Sequence, residues 1–203
     1  MDQDYKLTYF NMRSIAEPIR MVFVVAGVKF EDIRIPRETW PEHNKEKYDY
    51  GLLPVLHIGD KQLSQSNAII RFLAKQFNLS GSNDWENAKI DELAFVLSDI
   101  FAEWRAYFIE KDAEKKAELK TALVKVTVPK YFNKVDKIIS QKNSGGYLVG
   151  EKLTWVDIQY ANYLDLFEVT VGPEITADYP NLKSCRKLCS KFRQLRNGLK
   201  RGL

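Results

Sequence analysis

The spacing of apolar and polar residues predicts alternating strands and helices in the first third of the chain. Runs with period-two alternation are typical of strands, and apolar residues at helical spacing are typical of helices. The predicted elements are strands at 6–10 and 30–35, a hairpin of 54–58 and 62–63 across Gly59-Asp60, and helices at 15–26 and 65–77. This order predicts two parallel strands joined by a helix, followed by an antiparallel hairpin and a covering helix.

Helical spacing continues after a polar linker at residues 78–84. Long helices are predicted at 84–110 and 115–141, with a kink at Pro129 in the second. The fold class is therefore α/β plus all-α. The predicted domains are an α/β domain over residues 1–79 and an all-helical domain over residues 80–203.

A capping signature predicts the start of a later helix. Thr154 stands three residues before Asp157, so each side chain can bond the other's backbone N–H in a capping box. Loss of the Thr154 cap should cost about 1 kcal/mol. A structural role for Asp157 is favoured over a catalytic one.

The composition is that of an ordinary globular protein, with 45% hydrophobic and 29% charged residues among 203. No apolar run approaches the roughly 18 residues that would predict a membrane span. The net charge of +4 lies mostly near the C-terminus, where a solvated helix face is favoured over a nucleic-acid surface. The polar N-terminus and the two cysteines, Cys185 and Cys189, predict a cytoplasmic protein with reduced thiols.

The most informative local feature is Leu53-Pro54 at the start of an apolar strand. X-Pro bonds are the ones that adopt the cis form, which would turn the Leu53 backbone toward an extended peptide. A helix beginning at Gln65-Ser66 would offer N–H groups to a carboxylate. These features together predict a site for a small, extended, anionic peptide.

Four stretches resemble those of cytosolic glutathione transferases, most closely the sigma class and its nematode members. They are Tyr5–Arg13, Leu53–Leu56, Gln65–Ile69 and Tyr147–Asp157. The resemblance implies a thioredoxin-like domain followed by a helical domain. A redox thioredoxin would carry C-x-x-C after its first strand, but residues 11–14 contain no cysteine, so the reactive sulfur must come from the ligand.

The resemblance assigns Tyr9 the catalytic role. A free thiol has a pKa of ~8.5 and is nucleophilic only as the thiolate. A phenol O–H donated to the sulfur of glutathione would stabilise that anion. The alternative is a half-buried strand tyrosine with no catalytic role.

The resemblance also implies the other contacts to glutathione. Leu53 would bind the cysteinyl part through its backbone, with Pro54 in cis, and Gln65 and Ser66 would hold the γ-glutamyl carboxylate. Trp40 and Lys45 would meet the glycyl end, with Asn44 and Lys47 as alternatives to the lysine. Ordinary packing or helix capping is the alternative for each of these residues.

Two further sites follow from the resemblance. Asp99 would reach the γ-glutamyl amino group across a homodimer interface, although a solvated aspartate is an alternative. The second substrate would lie in an apolar pocket between the domains. The candidates for its lining are Phe10, Phe101, Trp104 and Tyr163, and aromatic core packing is the alternative for each.

One position departs from the pattern. The prostaglandin D synthase branch of the sigma class has an arginine where this chain has Ile15, which argues against prostaglandin isomerase activity. For Arg13, a structural salt bridge is the simpler interpretation.

The leading hypothesis is conjugation of glutathione to small hydrophobic electrophiles, serving detoxification. Glutathione would be the co-substrate, and no metal or nucleic acid would be needed. Three alternatives remain: a glutathione-binding carrier of haem or fatty acids, a glutathione-dependent isomerase or peroxidase, and a noncatalytic protein like the lens crystallins derived from this class.

Overall fold

The computed structural model describes residues 4–40, 45–141 and 146–185, without the side chain of Lys45. Two compact units divide at Ser80 and Gly81. The first contains a sheet with helices, and the described part of the second is helical. The predicted α/β domain followed by a helical domain is confirmed. The exact bounds of 1–79 and 80–203 stay a prediction.

The first unit is built on a four-stranded mixed sheet. Its elements are β1 (Tyr5–Phe10), α1 (Glu17–Ala26), β2 (Glu31–Ile35), β3 (Val55–Ile58), β4 (Lys61–Ser64) and α2 (Ser66–Gln76). The strand order is β2-β1-β3-β4, with β1 parallel to β2 and antiparallel to β3, and with β3 antiparallel to β4. The parallel pair joined by α1 and the antiparallel hairpin confirm the prediction of a thioredoxin-like domain.

Local sequence explains where the elements of this unit begin and end. Pro18 lies in the first turn of α1, where its missing N–H removes no intrahelical bond. Gly27 ends α1 with φ of +67°, a conformation that costs glycine little. A short 3₁₀ turn, Ser14–Ala16, precedes α1, so the regular helix starts two residues later than predicted.

The second unit contains four long helices in its described part. They are α3 (Asp84–Ile109), α4 (Ala113–Ala122), α5 (Val128–Ser140) and α6 (Trp155–Thr170). A π-helical segment, Leu123–Thr127, joins α4 to α5. Pro129 has no N–H to give to the Lys125 carbonyl, and the irregular turn lies just before this proline. None of the described helices is long and apolar enough to cross a lipid bilayer.

Helix α6 begins at the predicted capping box and is buried along most of its length. The Asp157 carboxylate accepts from the backbone N–H of Thr154 at 2.8 Å and from that of Leu148 at 2.7 Å. The Thr154 hydroxyl also donates to it at 2.8 Å. Asp157 is 0% exposed, so this carboxylate joins the helix start to the preceding loop inside the core.

Cys185 is a buried free thiol in a helical stretch that the structure describes over residues 180–185. Burial raises its pKa to about 12, which keeps it protonated and unreactive. Cys189 lies outside the described residues.

We predict that Asp157→Ala lowers the free energy of unfolding by about 3 kcal/mol, because three buried donors lose their acceptor. Asn83→Ala is the control: Asn83 caps α3 at an exposed position by accepting from the Glu86 N–H at 2.9 Å. Its loss should cost only about 1 kcal/mol. Urea unfolding measures both variants, and equal losses would contradict the special role of Asp157.

Candidate active site

The sheet register brings three of the predicted site residues to one end of the sheet. Thr8 pairs with Val55, and Val55 pairs with Ser64 on its other side. The next residues at this end are Tyr9, Pro54 and Gln65. Because neighbouring strands lie about 4.8 Å apart, their backbones extend across about 10 Å. That width suits an extended tripeptide.

The Leu53–Pro54 peptide bond is cis, which confirms the prediction. Pro54 is buried and Leu53 is half-buried just before β3. The backbone of Leu53 therefore lies at the margin of the sheet. It is in the middle of the row that Tyr9, Pro54 and Gln65 form at this end.

Gln65 has an unusual backbone conformation, with φ of +73° and ψ of +114°. A residue with a Cβ rarely adopts a positive φ, and such strain concentrates at functional sites. Gln65 is exposed, and its side chain does not cap α2 in the described structure. Ser66 begins α2, so the strained residue presents its side chain where the helix starts.

Tyr9 is buried at the same end of β1. Its ring centroid lies 5.3 Å from that of Phe10 and 6.0 Å from Cζ of Arg20. One side of the phenol is therefore close to a guanidinium, and a positive charge near the ring favours an anion there.

An aromatic row extends from this site. The Trp40 ring lies 5.7 Å from Phe10 and 5.7 Å from Tyr48, and Tyr48 lies 6.1 Å from His57. Burial lowers the pKa of His57, and the charge of Lys6 lowers it further. The aromatic row thus presents ring surface, and the His57 imidazole in it is neutral at pH 7.

The residue that would meet the glycyl end remains a prediction. Lys45 begins a 3₁₀ turn, Lys45–Lys47, but its side chain is not described, and Asn44 lies outside the described residues. Lys47 is exposed, and its carbonyl accepts from Gln62 Nε2 at 3.1 Å.

Asp99 lies on α3 of the second unit. Its carboxylate accepts from the Tyr131 hydroxyl at 3.2 Å, and Lys130 Nζ donates to the same hydroxyl at 3.1 Å. The side chain is exposed to a ligand or partner, but it also has this intramolecular contact.

The three aromatic candidates of the second unit form one cluster. Phe101 lies 4.9 Å from Trp104 and 5.0 Å from Tyr163, measured between ring centroids. Trp104 is 3% exposed, and its Nε1 donates to the Thr170 hydroxyl at 2.8 Å. Tyr163 is 6% exposed, whereas Phe101 is half-buried. Core packing therefore accounts for Trp104 and Tyr163, and Phe101 is the better placed to meet a ligand. Phe10 belongs to the first unit.

The sequence analysis missed a buried ion-pair cluster beside Tyr9. It contains Glu17 and Arg20, both 1% exposed, which pair at 3.1 Å. Opposite charges three residues apart at the start of an apolar helix were the available signal. Arg13 lies 4.0 Å from Glu17, consistent with the structural salt bridge predicted for it. Within the described residues, no group of three or more His, Cys, Asp or Glu side chains is placed to hold a metal ion.

The sequence matches two family models. The glutathione S-transferase N-terminal domain matches residues 5–75, and the C-terminal domain matches residues 98–197. Glutathione S-transferase 1 of Ascaris suum is 35% identical over 196 residues, which are 95% of this chain and 92% of that protein. The chain therefore belongs to the glutathione S-transferase family. Proteins of this family use glutathione as a substrate, and the chain is a transferase.

Solved structures agree with this assignment. The prostaglandin synthase D of Nilaparvata lugens superposes with a TM-score of 0.86 at 37% identity, covering 97% of both chains. A Nu-class transferase of Haemonchus contortus gives 0.84 at 36% identity, covering 98% of this chain and 96% of the other. Monomeric Na-GST-3 of Necator americanus gives 0.82 at 34% identity, covering 97% and 96%.

We predict that Gln65→Gly leaves the free energy of unfolding within about 0.5 kcal/mol of the wild type, because relief of backbone strain offsets the flexibility of glycine. Ala68→Gly is the control, since Ala68 is exposed in the first turn of the same helix and has no strain to relieve. It should lose about 1 kcal/mol. Urea unfolding compares the two, and an equal loss would show that Gln65 carries no strain.

Proposed function

We propose that this transferase conjugates reduced glutathione to small apolar electrophiles and that Tyr9 stabilises the thiolate. The observation that carries the proposal is the row of Tyr9, cis-Pro54 and strained Gln65 at one end of the sheet. The sigma class, the cytoplasmic location and a role in detoxification belong to the same proposal, and the four resembling sequence stretches support them.

Each residue of the row has a distinct task in this proposal. The Leu53 backbone pairs with the cysteinyl unit and fixes its direction. Gln65 and Ser66 hold the γ-glutamyl carboxylate, where the N–H groups and dipole of α2 favour a negative charge. Tyr9 donates its O–H to the sulfur, which lowers the thiol pKa and raises the thiolate fraction at pH 7.

The thiolate then attacks the electrophilic carbon and forms the new S–C bond. In a substitution, the electron pair of the bond that breaks leaves with the displaced group. In an addition, that electron pair moves onto the acceptor. No redox change or metal enters this balance. Trp40 and Lys45 bind the glycyl end, and Phe101 offers the most accessible ring of its cluster to the apolar substrate.

The first experiment is a pH titration of the thiolate absorbance of bound glutathione. In Tyr9→Phe, the thiol pKa should return toward ~8.5 because the donated O–H is lost. We expect kcat/KM to fall roughly 100-fold, as when one donor to a developing anion is removed.

Tyr5→Phe is the matched control. Tyr5 is also a buried tyrosine on β1, and its ring packs on Phe23 at 5.3 Å and on Phe77 at 5.9 Å. This variant should keep the wild-type thiol pKa. Binding without a lowered pKa in the wild type would overturn the catalytic mechanism and favour the carrier, and no binding would overturn the glutathione site.

We further propose that the protein is a homodimer in which Asp99 contacts glutathione bound to the second copy. Phe95 lies four residues before Asp99 on α3, on the same face, and is 65% exposed. An exposed aromatic beside a carboxylate suits an interface that also needs a charged contact. Na-GST-3 of Necator americanus, by contrast, is described as monomeric.

We predict that Phe95→Glu yields a monomer in sedimentation experiments, because a buried charge would oppose association. Val169→Glu is the control, since Val169 is 71% exposed on α6, and it should remain a dimer. Asp99→Asn should keep the dimer and weaken glutathione binding about 10-fold through loss of a charged hydrogen bond. A monomeric wild type would overturn this proposal.

A further inference from the structure

A cavity of about 700 Å³ lies within the second unit. Its wall comes from the start of α3, the end of α5 and the loop before α6. Cavities that enclose small organic ligands have volumes of this size. We call it the Trp85 cavity, and its lining includes Trp85, Glu86, Lys89, Leu93, Val149 and Glu151.

The base of the Trp85 cavity is apolar, and an exposed indole lies at its opening. Leu93, Leu148 and Val149 of the lining are buried, whereas Trp85 is 75% exposed. Burying a tryptophan ring removes a large apolar area from water, so a ring this exposed has surface left to cover. Exposed apolar surface beside a concave apolar base is typical of ligand-binding grooves.

Hydrogen bonds hold both sides of the wall in place. On the loop before α6, the Leu148 N–H donates to the buried Asp157 carboxylate at 2.7 Å. At the start of α3, Asn83 caps the helix, and the Glu86 carboxylate accepts from the Ser82 N–H at 2.6 Å. The wall therefore consists of segments that are ordered by their own contacts.

Gly150 lets the loop before α6 approach the start of α3 closely. Its φ is +63°, and a Cβ built on it would lie 3.1 Å from Glu86 Oε2. Glycine adopts a positive φ at little cost and leaves room for this approach. The shape of the Trp85 cavity is thus formed without a ligand, as is usual for small-molecule sites.

The charged groups of the lining favour a cation. Lys89 pairs with Glu92, which is not a lining residue. Of the two lining carboxylates, Glu86 accepts from the Ser82 N–H, and Glu151 is exposed and has no ion-pair partner among the described residues. The charge of Glu151 is therefore available to a ligand.

Trp85 and Glu151 suit the same kind of ligand. The face of a tryptophan ring attracts cations more strongly than that of any other aromatic side chain, and it also stacks on flat rings. A nearby carboxylate adds a Coulombic attraction for positive charge. Glutathione is an anionic peptide without a ring, so it does not match this lining.

We propose that the Trp85 cavity is a second ligand site, which binds flat aromatic cations. The rings of the ligand cover the apolar base and the indole, and its positive charge lies near Glu151. This inference goes beyond the proposed function, because no lining residue is assigned to glutathione or to the electrophile. The ligand is bound and released unchanged.

The first experiment compares two fluorescent dyes of equal ring size and opposite charge. N-methylacridinium has three fused rings and a permanent positive charge, and anthracenecarboxylate has three fused rings and a negative charge. Each is titrated with the complete wild-type chain, without glutathione, and followed by fluorescence anisotropy. We expect one cation per chain, bound about 10-fold more tightly than the anion. Equal or tighter binding of the anion would overturn the proposal.

The role of the indole is tested by Trp85→Ala, with Tyr50→Ala as the matched control. Tyr50 is an aromatic residue of the first unit that is 71% exposed, so neither substitution removes a core side chain. Trp85→Ala should weaken N-methylacridinium binding about 10-fold through loss of the ring face. Tyr50→Ala should leave the Kd within about 2-fold of the wild type. Equal effects of the two variants would contradict a site at Trp85.

The role of the carboxylate is tested by Glu151→Gln, with Glu118→Gln as the matched control. Glu118 is exposed on α4 and does not line the cavity, so both variants change the net charge equally. Glu151→Gln should weaken binding of the cation about 3-fold and not weaken that of the anion. If Glu118→Gln had the same effect, the net charge of the protein and not the Trp85 cavity would attract the dye, and the proposal would fail.

Competition with S-methylglutathione separates the two sites, and this thioether has no thiol to attack the dye. We expect N-methylacridinium to remain bound at saturating S-methylglutathione. Displacement of the dye, together with an unchanged Kd in Trp85→Ala, would assign the dye to the glutathione site and overturn the Trp85 cavity while the proposed function stands. Dye binding that depends on Trp85, in a wild type that does not lower the thiol pKa, would support the cavity and overturn the catalytic mechanism alone.

Discussion

The candidate site depends on the register of three adjacent strands. Leu7 and Leu56 face each other across β1 and β3, and both are fully buried. A slip of one residue would turn these side chains out of the core and also separate Tyr9 from Pro54. Burial of apolar side chains therefore fixes the positions of the chemical groups. The hairpin turn at Gly59, with φ of +56°, then fixes where β4 ends and Gln65 begins.

Much of the fold could be predicted because its signals lie within a few residues. Gly27 after an apolar helix, the Gly59-Asp60 turn and the Thr154–Asp157 box each act over one turn, and each prediction is confirmed. The π-helical turn before Pro129 could not be placed in the same way. A proline shows that one hydrogen bond is missing, but neighbouring packing decides which turn absorbs the change.

The site was predictable where a motif carried it and not where long-range contacts decided. The resemblance to the family motif implied a cis bond at Pro54, and the structure contains it. Asp32 pairs with Arg20 from twelve residues away, and Thr170 satisfies Trp104 from sixty-six residues away. Such partners have no fixed sequence spacing. Sequence spacing therefore shows neither the burial of Arg20 nor the residue that satisfies the Trp104 indole.

Unsatisfied and strained groups occur at the end of the sheet that holds the candidate site and also elsewhere in the described residues, as the positive φ of Ser14 and Asn78 shows. In the described part of the first unit, Arg20 Nη2, Gln62 Oε1 and Ser64 Oγ are buried without hydrogen-bond partners, and Gln65 has a positive φ. In the second unit, the buried Asp157 accepts three well-formed hydrogen bonds. Unsatisfied and strained groups persist only where surrounding packing holds them. Ser64 and Gln65 lie at the end of the sheet where Tyr9 and Pro54 also lie. The core of the sheet therefore tolerates an unsatisfied and a strained group at the place where oriented polar groups would be useful to a ligand.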